Sequence, residues 1–499
     1  MSKHIEPHPT KSNHIQLTPH QKHAFHHLQT FLNDPHHRVF LLKGYAGTGK
    51  TTLAKFLLDH LRTREDLEPV LLASTGRAAK VLQRKTGTGA TTVHSCIYAF
   101  DHVDDGNAPP DQDYDHRHGQ LLLRFGLREP GTDPAGKRRL YLIDEASMLS
   151  HLQSSGDNAT AFGSGSLLTD FFAYTGDSKI IFVGDPLQLP PPVGQQPFSS
   201  ALDAEFLRRH FGLTVAETEL TEVIRQAADN PVLRLATDLR AVVTAGRTRE
   251  HWEPHLRRPD LGFFTPFSQQ VMVDRYLDAT RDERYGESII LTHSNKQTHY
   301  LNQMIRTKRF GQRQVHRLQK HELLQVVQNN HLVPLANGDQ VIVRRARRLG
   351  RSAGFFFLEV EVEDVGSGQR FEVPLLYDLL FDPRPGISGE DFRALLVDFD
   401  RRARARGLRR KSDGYKKAMQ TDPYLNALRA KFGYAVTCHK AQGGEWARVF
   451  LNLSKSIDQL DPESRYRWLY TAVTRAQQTL EIKPVWHGPP PHKKRVRVR

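Results

Sequence analysis

The sequence predicts an α/β protein with two domains, each built around a parallel β-sheet. Compact apolar runs, each followed by a polar or glycine-containing loop, occur at 38–42, 69–73, 140–143, 179–183, 288–291 and 448–453. Between them, apolar residues recur at helical spacing, as in Leu53, Phe56, Leu57 and Leu61. Strands that alternate with helices favour parallel sheets. The runs form two groups, one before about residue 225 and one after about residue 288, and these groups predict the two domains.

The balance of charge indicates a polyanionic partner. The 499 residues include 70 Lys and Arg against 55 Asp and Glu, so the formal net charge is +15. Such an excess favours a nucleic-acid ligand, although a basic solvated surface gives the same count.

Composition also excludes several classes of protein. Two cysteines, Cys96 and Cys438, cannot build a disulfide framework or a cysteine metal site. No run approaches the roughly 18 apolar residues that a membrane helix requires, and the first residues lack the apolar core of a secretory signal. We therefore expect a cytoplasmic protein without membrane contact.

The first 37 residues contain nine histidines. Their spacing is irregular and no cysteine or acidic cluster joins them, so a solvated arm is favoured over a metal site. A helical pattern begins at His20.

A phosphate-binding loop follows the first apolar run and precedes a helix. The loop fits G-x-x-x-x-G-K-[ST], with the nucleotide-binding residues Gly44, Tyr45, Ala46, Gly47, Thr48, Gly49, Lys50, Thr51 and Thr52. Its glycines let backbone N–H groups wrap phosphates, Lys50 neutralises the β and γ oxygens, and Thr51 can hold Mg²⁺.

Two carboxylates, Asp144 and Glu145, end a later apolar run. Asp144 suits a Mg²⁺ site and Glu145 suits a base for the attacking water. An acidic helix cap is the alternative. Gln188, after the next run, suits a γ-phosphate sensor or a turn. Together with the loop, these residues predict nucleotide hydrolysis.

In combination, these motifs resemble the superfamily 1 helicases of the 5′-to-3′ subgroup, specifically the RecD-like and Dda-like DNA helicases. The matching stretches follow the family's order from Leu17 to Ile482. They are 17–21, 44–51, 74–79, 92–95, 144–145, 184–188, 220–226, 292–295, 434–445 and 469–476.

The resemblance implies two RecA-like domains that bind ATP and Mg²⁺ between them. Gln21 would read adenine, Gln188 would sense the γ-phosphate, and Gly444 and Glu445 would belong to the nucleotide site. Arg225 and Arg475 look like arginine fingers; the alternative for each is a surface ion pair. An arginine supplied by the second domain would couple hydrolysis to closure of the cleft.

The resemblance also implies a track for single-stranded DNA. Hydroxyl, amide and imidazole groups suit phosphate contacts that do not read sequence, although each residue also suits a cap or a turn. The expected contacts are Thr75, Arg77, His94, Ser95, Thr292, Asn295, Thr437 and His439. Tyr98 would stack on a base or lie in the core.

Two insertions complete the expected layout. Residues 101–139 occupy the place of a strand-separating pin with Phe125 as its wedge, and the alternating pattern near 335–377 resembles an SH3-like β subdomain. The basic stretch 401–417 maps onto no motif of the family. The expected parts are an arm at 1–37, a first domain at 38–240, a second domain at 241–310 and 430–487, an inserted subdomain at 311–429 and a basic tail at 488–499.

We expect an ATP-dependent helicase that acts on single-stranded and tailed duplex DNA as a monomer, with the 5′-to-3′ direction resting on the resemblance alone. A single-strand translocase, a protein-stripping ATPase and an RNA-directed helicase are alternatives. A binding protein that uses ATP without turnover is disfavoured because Lys50, Glu145, Gln188, Arg225 and Arg475 are all present.

Overall fold

The computed structural model describes residues 16–104, 121–129, 137–153, 160–191, 198–224, 230–257, 268–410 and 412–483. Its α-helices are α1 (Pro19–Asn33), α2 (Lys50–Leu61), α3 (Gly76–Thr86), α4 (Val93–Ile97), α5 (Leu167–Thr175), α6 (Ala204–Phe211), α7 (Pro231–Thr244), α8 (Glu253–Leu256), α9 (Gln269–Ala279), α10 (Asn295–Phe310), α11 (Gly389–Ala405), α12 (Asp413–Thr421) and α13 (Pro462–Val473).

The strands form four sheets. They are β1 (Val39–Gly44), β2 (Leu67–Ala73), β3 (Ala90–Thr92), β4 (Tyr98–Asp104), β5 (Leu122–Leu127), β6 (Arg138–Asp144), β7 (Thr160–Phe162), β8 (Lys179–Gly184), β9 (Val215–Leu220), β10 (Ser288–Thr292), β11 (Leu323–Val326), β12 (Gln340–Ser352), β13 (Phe355–Asp364), β14 (Arg370–Leu376), β15 (Ala430–Phe432), β16 (Ala435–Thr437), β17 (Trp446–Asn452) and β18 (Ala476–Lys483).

The first sheet is parallel throughout, with the order β3-β2-β6-β8-β1-β9. Its inner strands β1, β6 and β8 are buried on both faces, which is why they read as continuous apolar runs in the sequence. Strand β8 lies between β1 and β6, so the loops after these three strands emerge at one edge. That edge carries the phosphate-binding loop, the acidic pair and Gln188.

The second sheet is also parallel, with the order β16-β10-β17-β18. The α/β prediction with two parallel sheets is therefore confirmed. Helix α7 packs against the core of this second sheet through Val232, Leu235 and Leu239. The predicted boundary at residue 240 falls inside α7 and assigns most of this helix to the first domain, although the helix packs on the second sheet. A boundary near residue 225 would keep the whole helix with the second sheet.

A five-stranded sheet, with the order β14-β13-β12-β11-β15, interrupts the second domain. Its strand pairs are antiparallel, as the alternating pattern around 358–373 predicts, and β13 and β14 are joined at the Gly366-to-Gly368 turn. Strand β15 belongs to this sheet, although the predicted second domain begins at 430. The SH3-like identity of the subdomain stays a prediction.

A smaller sheet, β4-β5-β7, stands where the sequence predicts the pin. Strands β4 and β5 are antiparallel, and β4 starts at Tyr98, before the predicted insertion begins. Leu121 and Leu123 pack with α11 and with Phe357 of the inserted sheet. Residues 105–120 and 130–136, which include most of the predicted insertion, lie outside the described residues.

The basic stretch 401–417 falls on the end of α11, the following turn and α12. Arg402 donates to Asp398 at 2.8 Å and to Asp422 at 3.1 Å. Arg410 donates to both carboxylate oxygens of the fully buried Asp400 at 2.7 Å each. These arginines therefore hold the two helices together, because a buried carboxylate needs a charged partner.

Among the helices described, none combines the length and the apolarity that crossing a membrane demands.

Candidate nucleotide and strand-binding site

The phosphate-binding loop connects β1 to the N-terminus of α2. Gly47 and Gly49 have φ angles of +78° and +79°, a region that favours glycine. A Cβ atom on Gly49 would lie 2.3 Å from Nε2 of Gln21, so a side chain there would displace the glutamine. The Lys50 ammonium donates to the carbonyls of Gly44 at 2.6 Å and Tyr45 at 3.0 Å. The loop thus presents a lysine and helix N–H groups to one space, which suits phosphate oxygens.

Gln21 joins helix α1 to this loop. Its side chain accepts from the Thr18 N–H at 3.1 Å in a capping box, and it donates to the Thr48 carbonyl at 3.2 Å. The residue is buried beside the loop. Its predicted contact with adenine stays a prediction.

The acidic pair lies at the carboxyl end of β6. Burial raises the pKa of both carboxyl groups. The charge of Asp144 raises the pKa of Glu145 further, whereas the positive charges of Arg475 and Lys50 lower it. Glu145 also adopts φ 53°, a left-handed conformation that is uncommon for a residue other than glycine and is concentrated at functional sites. The simple helix-cap alternative does not explain this conformation, since Glu145 makes no side-chain cap bond.

Gln188 is buried, and its Oε1 atom has no hydrogen-bond partner among the residues that the structure describes. The segment that follows it is fixed to the second domain. Leu189 N–H donates to the Thr471 hydroxyl at 3.0 Å, and its carbonyl accepts from Gln442 at 2.9 Å. An unsatisfied buried amide oxygen favours a functional partner over a simple turn.

Tyr470 links the two domains at the phosphate-binding loop. Its hydroxyl donates to Asp185 at 2.6 Å and accepts from the Ala46 N–H at 3.0 Å. In the sequence, Tyr470 lies within the 469–476 motif, but no role was predicted for it. A phenol on the apolar face of α13 is the signal that could have identified it, because a buried tyrosine hydroxyl needs a partner.

Arg475 is buried directly after α13 and contributes from the second domain. Its guanidinium donates to the Gly444 carbonyl at 3.2 Å and to the Thr471 carbonyl at 3.1 Å. These contacts replace the surface ion pair that was the alternative for this residue. Glu445 is exposed and accepts from Gln477 at 3.1 Å. The other predicted finger, Arg225, lies outside the described residues.

Of the predicted strand-binding residues, His94, Ser95 and Asn295 are exposed. Thr75 caps α3 through the Ala78 N–H at 3.2 Å, and His439 is half-buried at the start of a short turn. Thr437 is buried at the carboxyl end of β16.

Two of the predicted contacts described next lie in the interior, and a third, Phe125, is half-buried. Thr292 is fully buried, and its hydroxyl is bonded to Thr298 at 2.7 Å. Tyr98 is buried and donates to Asp170 at 2.7 Å, so it is a core residue rather than a base-stacking one. Phe125 stacks on Phe162 at 4.7 Å within strand β5, which does not support its role as an exposed wedge. A fourth predicted contact, Arg77, packs between domains.

Comparisons with known proteins agree with this arrangement. A family profile described as an AAA domain matches residues 16–251, and one described as a UvrD-like helicase C-terminal domain matches residues 432–482. The ATP-dependent RecD2 DNA helicase of Deinococcus radiodurans is 30% identical over 203 residues, which are 41% of this chain and 22% of that protein. The ATP-dependent DNA helicase dda of Enterobacteria phage T4 is 38% identical over 81 residues, which are 16% of this chain and 18% of that protein.

The aligned segments thus span less than a quarter of either relative. Among solved structures, Pif1 helicase from Bacteroides in complex with ADP-AlF3 and ssDNA is 15% identical, covers 94% of this chain and 92% of its own, and has a TM-score of 0.47. The AAA profile covers most of the first half of the chain, and the UvrD-like profile covers a segment near the end of the second half. These matches support the resemblance of the chain to the superfamily 1 helicases of the RecD-like and Dda-like group.

Proposed function

We propose that this chain is an ATP-dependent DNA helicase that moves 5′ to 3′ on single-stranded DNA and unwinds duplex DNA. The observation that supports it is the cleft between the domains, where the Tyr470 hydroxyl bonds both Asp185 and the Ala46 N–H of the phosphate-binding loop. The charges of Asp144, Arg475 and Lys50 shift the pKa of Glu145 in the same cleft. A cleft of this kind suits phosphoryl transfer to water, which depends on positioning and on neutralising charge.

Each residue of the cleft has a separate task in this proposal. Lys50 and the N–H groups at the start of α2 hold the phosphates, and Gln188 bonds the γ-phosphate or its water. Glu145 takes the proton of the attacking water, and its raised pKa suits that task at neutral pH. Mg²⁺, when bound by Thr51 and Asp144, would neutralise charge on the phosphate oxygens.

Arg475 makes hydrolysis depend on the position of the second domain. Because it reaches the cleft from the end of α13, it stabilises the transition state only when the two sheets are close together. Repeated closing and opening would move the strand if the grip of each domain on it alternates. Ser95 and His94 of the first domain and Asn295 and His439 of the second are the accessible groups for such a grip.

Strand displacement with parallel measurement of ATP hydrolysis tests the proposal. The substrates are two duplexes that carry either a 5′ or a 3′ single-stranded tail, and the proteins are the wild type and Lys50→Ala. We expect displacement from the 5′-tailed duplex only, and its loss together with hydrolysis in the variant. Displacement from the 3′ tail would overturn the direction.

The alternatives give different results in the same assay. DNA-stimulated hydrolysis without displacement would indicate a single-strand translocase or a protein-stripping ATPase. Stimulation by RNA but not by DNA would indicate an RNA-directed helicase. Tight ATP binding without hydrolysis would indicate an ATP-gated binding protein.

A further inference from the structure

Arg77 lies where three parts of the chain meet, although its motif predicts a contact with DNA. It stands in the first turn of α3, in the first domain. Its guanidinium lies 4.2 Å from the centre of the Trp446 ring, which belongs to the second domain. It also donates to the carbonyl of Gly338, in the inserted subdomain, at 3.3 Å.

The start of α3 packs closely against the second domain at Gly443 and Gly444. A Cβ atom on Gly444 would lie 2.7 Å from Nε of Arg77 and 2.7 Å from the Trp446 ring. A Cβ atom on Gly443 would lie 2.9 Å from the Cβ of Ala78. The two glycines therefore allow this loop to pack directly against the start of α3.

The contact with the inserted subdomain is equally close. Lys80, one turn further along α3, forms an ion pair with the buried Asp339 and lies 3.7 Å from Asp364. Asp339 also accepts from the Ala336 N–H at 2.7 Å, which closes the turn that carries Gly338. A Cβ atom on Gly76 would lie 2.2 Å from the Cβ of Ala336.

The residues that Arg77 contacts are bonded to Arg475. The Gly444 carbonyl accepts from the Arg475 guanidinium at 3.2 Å, and the Trp446 N–H donates to the Arg475 carbonyl at 2.9 Å. Arg77 thus packs on Gly444, one of the residues that hold the Arg475 side chain, and on Trp446, which bonds the Arg475 main chain.

We propose that Arg77 is a positioning residue for ATP hydrolysis, and that it places Arg475 through Gly444 and Trp446 while Lys80 ties the same helix to the inserted subdomain. This inference rests on the proposed function, because it assigns Arg475 to the hydrolysis of ATP. It reassigns Arg77 from the strand track to the interface between domains.

The test compares Arg77→Met, Arg77→Lys and Arg84→Met in the full chain. Arg84 is an exposed arginine on the same helix and serves as the matched control for the loss of one positive charge. The measurements are kcat and KM of ATP hydrolysis at saturating oligo-thymidine, and the Kd for a fluorescent oligo-thymidine strand. Thermal melting shows that each variant is folded.

We expect Arg77→Met to lower kcat at least about tenfold, which corresponds to about 1.4 kcal/mol, with an unchanged Kd for the strand. Arg77→Lys keeps the cation over the ring and should restore part of the rate, and Arg84→Met should match the wild type. A weaker Kd with normal kcat for Arg77→Met would overturn the proposal in favour of a strand contact.

A double variant separates this inference from the proposed function. If Arg77 acts through Arg475, then Arg77→Met should lower kcat little further in an Arg475→Ala background. An equal loss in both backgrounds would overturn the inference alone. Normal hydrolysis by Arg475→Ala itself would instead remove the arginine-finger role on which the proposed function depends.

Discussion

At the scale of single residues, Glu145 is the side chain on which the proposed hydrolysis of ATP depends. Glu145→Gln keeps the size and shape of the side chain but removes its basicity. Since general-base catalysis contributes about 10²–10⁴-fold, we expect turnover to fall by about that factor while ATP still binds. Phosphate release and the binding of a fluorescent ATP analogue measure the two effects. Normal turnover by the variant would remove Glu145 as the base.

Gly49 tests the geometry of the phosphate-binding loop. In Gly49→Ala, the new Cβ would lie 2.3 Å from Nε2 of Gln21 and 2.8 Å from Cδ1 of Ile224, so Gln21 must leave its bond to the Thr48 carbonyl and ATP binding should weaken. Gly87→Ala is the matched control, because Gly87 has φ +70° and no atom within 4 Å of a Cβ. Gly87→Ala is destabilised only by the strain of a left-handed residue, about 1–2 kcal/mol. This variant should therefore bind ATP normally. Equal ATP affinities for the two variants would contradict the role of this close approach.

The residues of the nucleotide cleft were predictable from the sequence because a local motif specifies them. Strand, loop and helix follow one another within a short stretch, so the positions of Gly49 and Lys50 depend on few distant residues. Tyr98 and Thr292 were not predictable in the same way. Their hydrogen bonds to Asp170 and Thr298 depend on how other elements pack. The sequence around Tyr98 and Thr292 does not indicate whether these side chains face solvent.

At the scale of elements, a buried ion pair fixes α10 to the segment that leads into β11. Arg306 and Glu322 are fully buried and bonded to each other, and Arg306 also donates to the carbonyls of Val315 at 2.6 Å and Arg317 at 2.8 Å. Arg306→Met would leave Glu322 as an unpaired buried charge, which costs about 3–5 kcal/mol. We therefore expect a clear fall in the melting temperature.

The exposed pair of Arg281 and Asp278 is the control for this prediction. Both side chains are about 70% exposed, and such pairs contribute about 0–1 kcal/mol. Arg281→Met should melt close to the wild type. If both variants melt alike, the buried pair contributes no more than a surface pair and the prediction is wrong.

The inner strands of the two parallel sheets were predictable because burial on both faces leaves a continuous apolar run. The edge strands β3, β9, β16 and β18 were not among the predicted runs. The grouping of α7 was harder to predict. Its apolar face fits either sheet by pattern alone, and only its packing with the second core assigns it. The basic stretch 401–417 was misleading in another way, because Arg402 and Arg410 serve acidic partners that lie in the same subdomain.

At the scale of the whole molecule, Tyr470 connects the two domains across the nucleotide cleft. Tyr470→Phe removes the bonds to Asp185 and to the Ala46 N–H, and a bond to a charged group contributes about 1.5–3 kcal/mol. We expect the KM for ATP or kcat to change by roughly tenfold or more. Tyr466→Phe is the control, since that hydroxyl on the same helix donates to the main-chain carbonyl of Glu250 at 3.2 Å, away from the cleft. Identical kinetics for the two variants would show that the contact does not couple the domains.

The net charge of the chain predicts how the affinity for single-stranded DNA depends on salt concentration. Binding that neutralises phosphates releases counterions, so the logarithm of affinity falls with the logarithm of salt with a slope of about −0.7 per phosphate for single strands. The formal charge is +15, yet many of the arginines described above are paired with Asp or Glu, so composition alone does not fix the slope. We expect a steep fall in affinity for oligo-thymidine as salt is added, measured by fluorescence anisotropy. Lys50→Ala should give the same slope, because Lys50 belongs to the nucleotide cleft rather than to the strand track. An affinity that does not change with salt would indicate that the basic surface is solvated and does not contact the strand. The strand would then be held by hydroxyl, amide and imidazole groups alone.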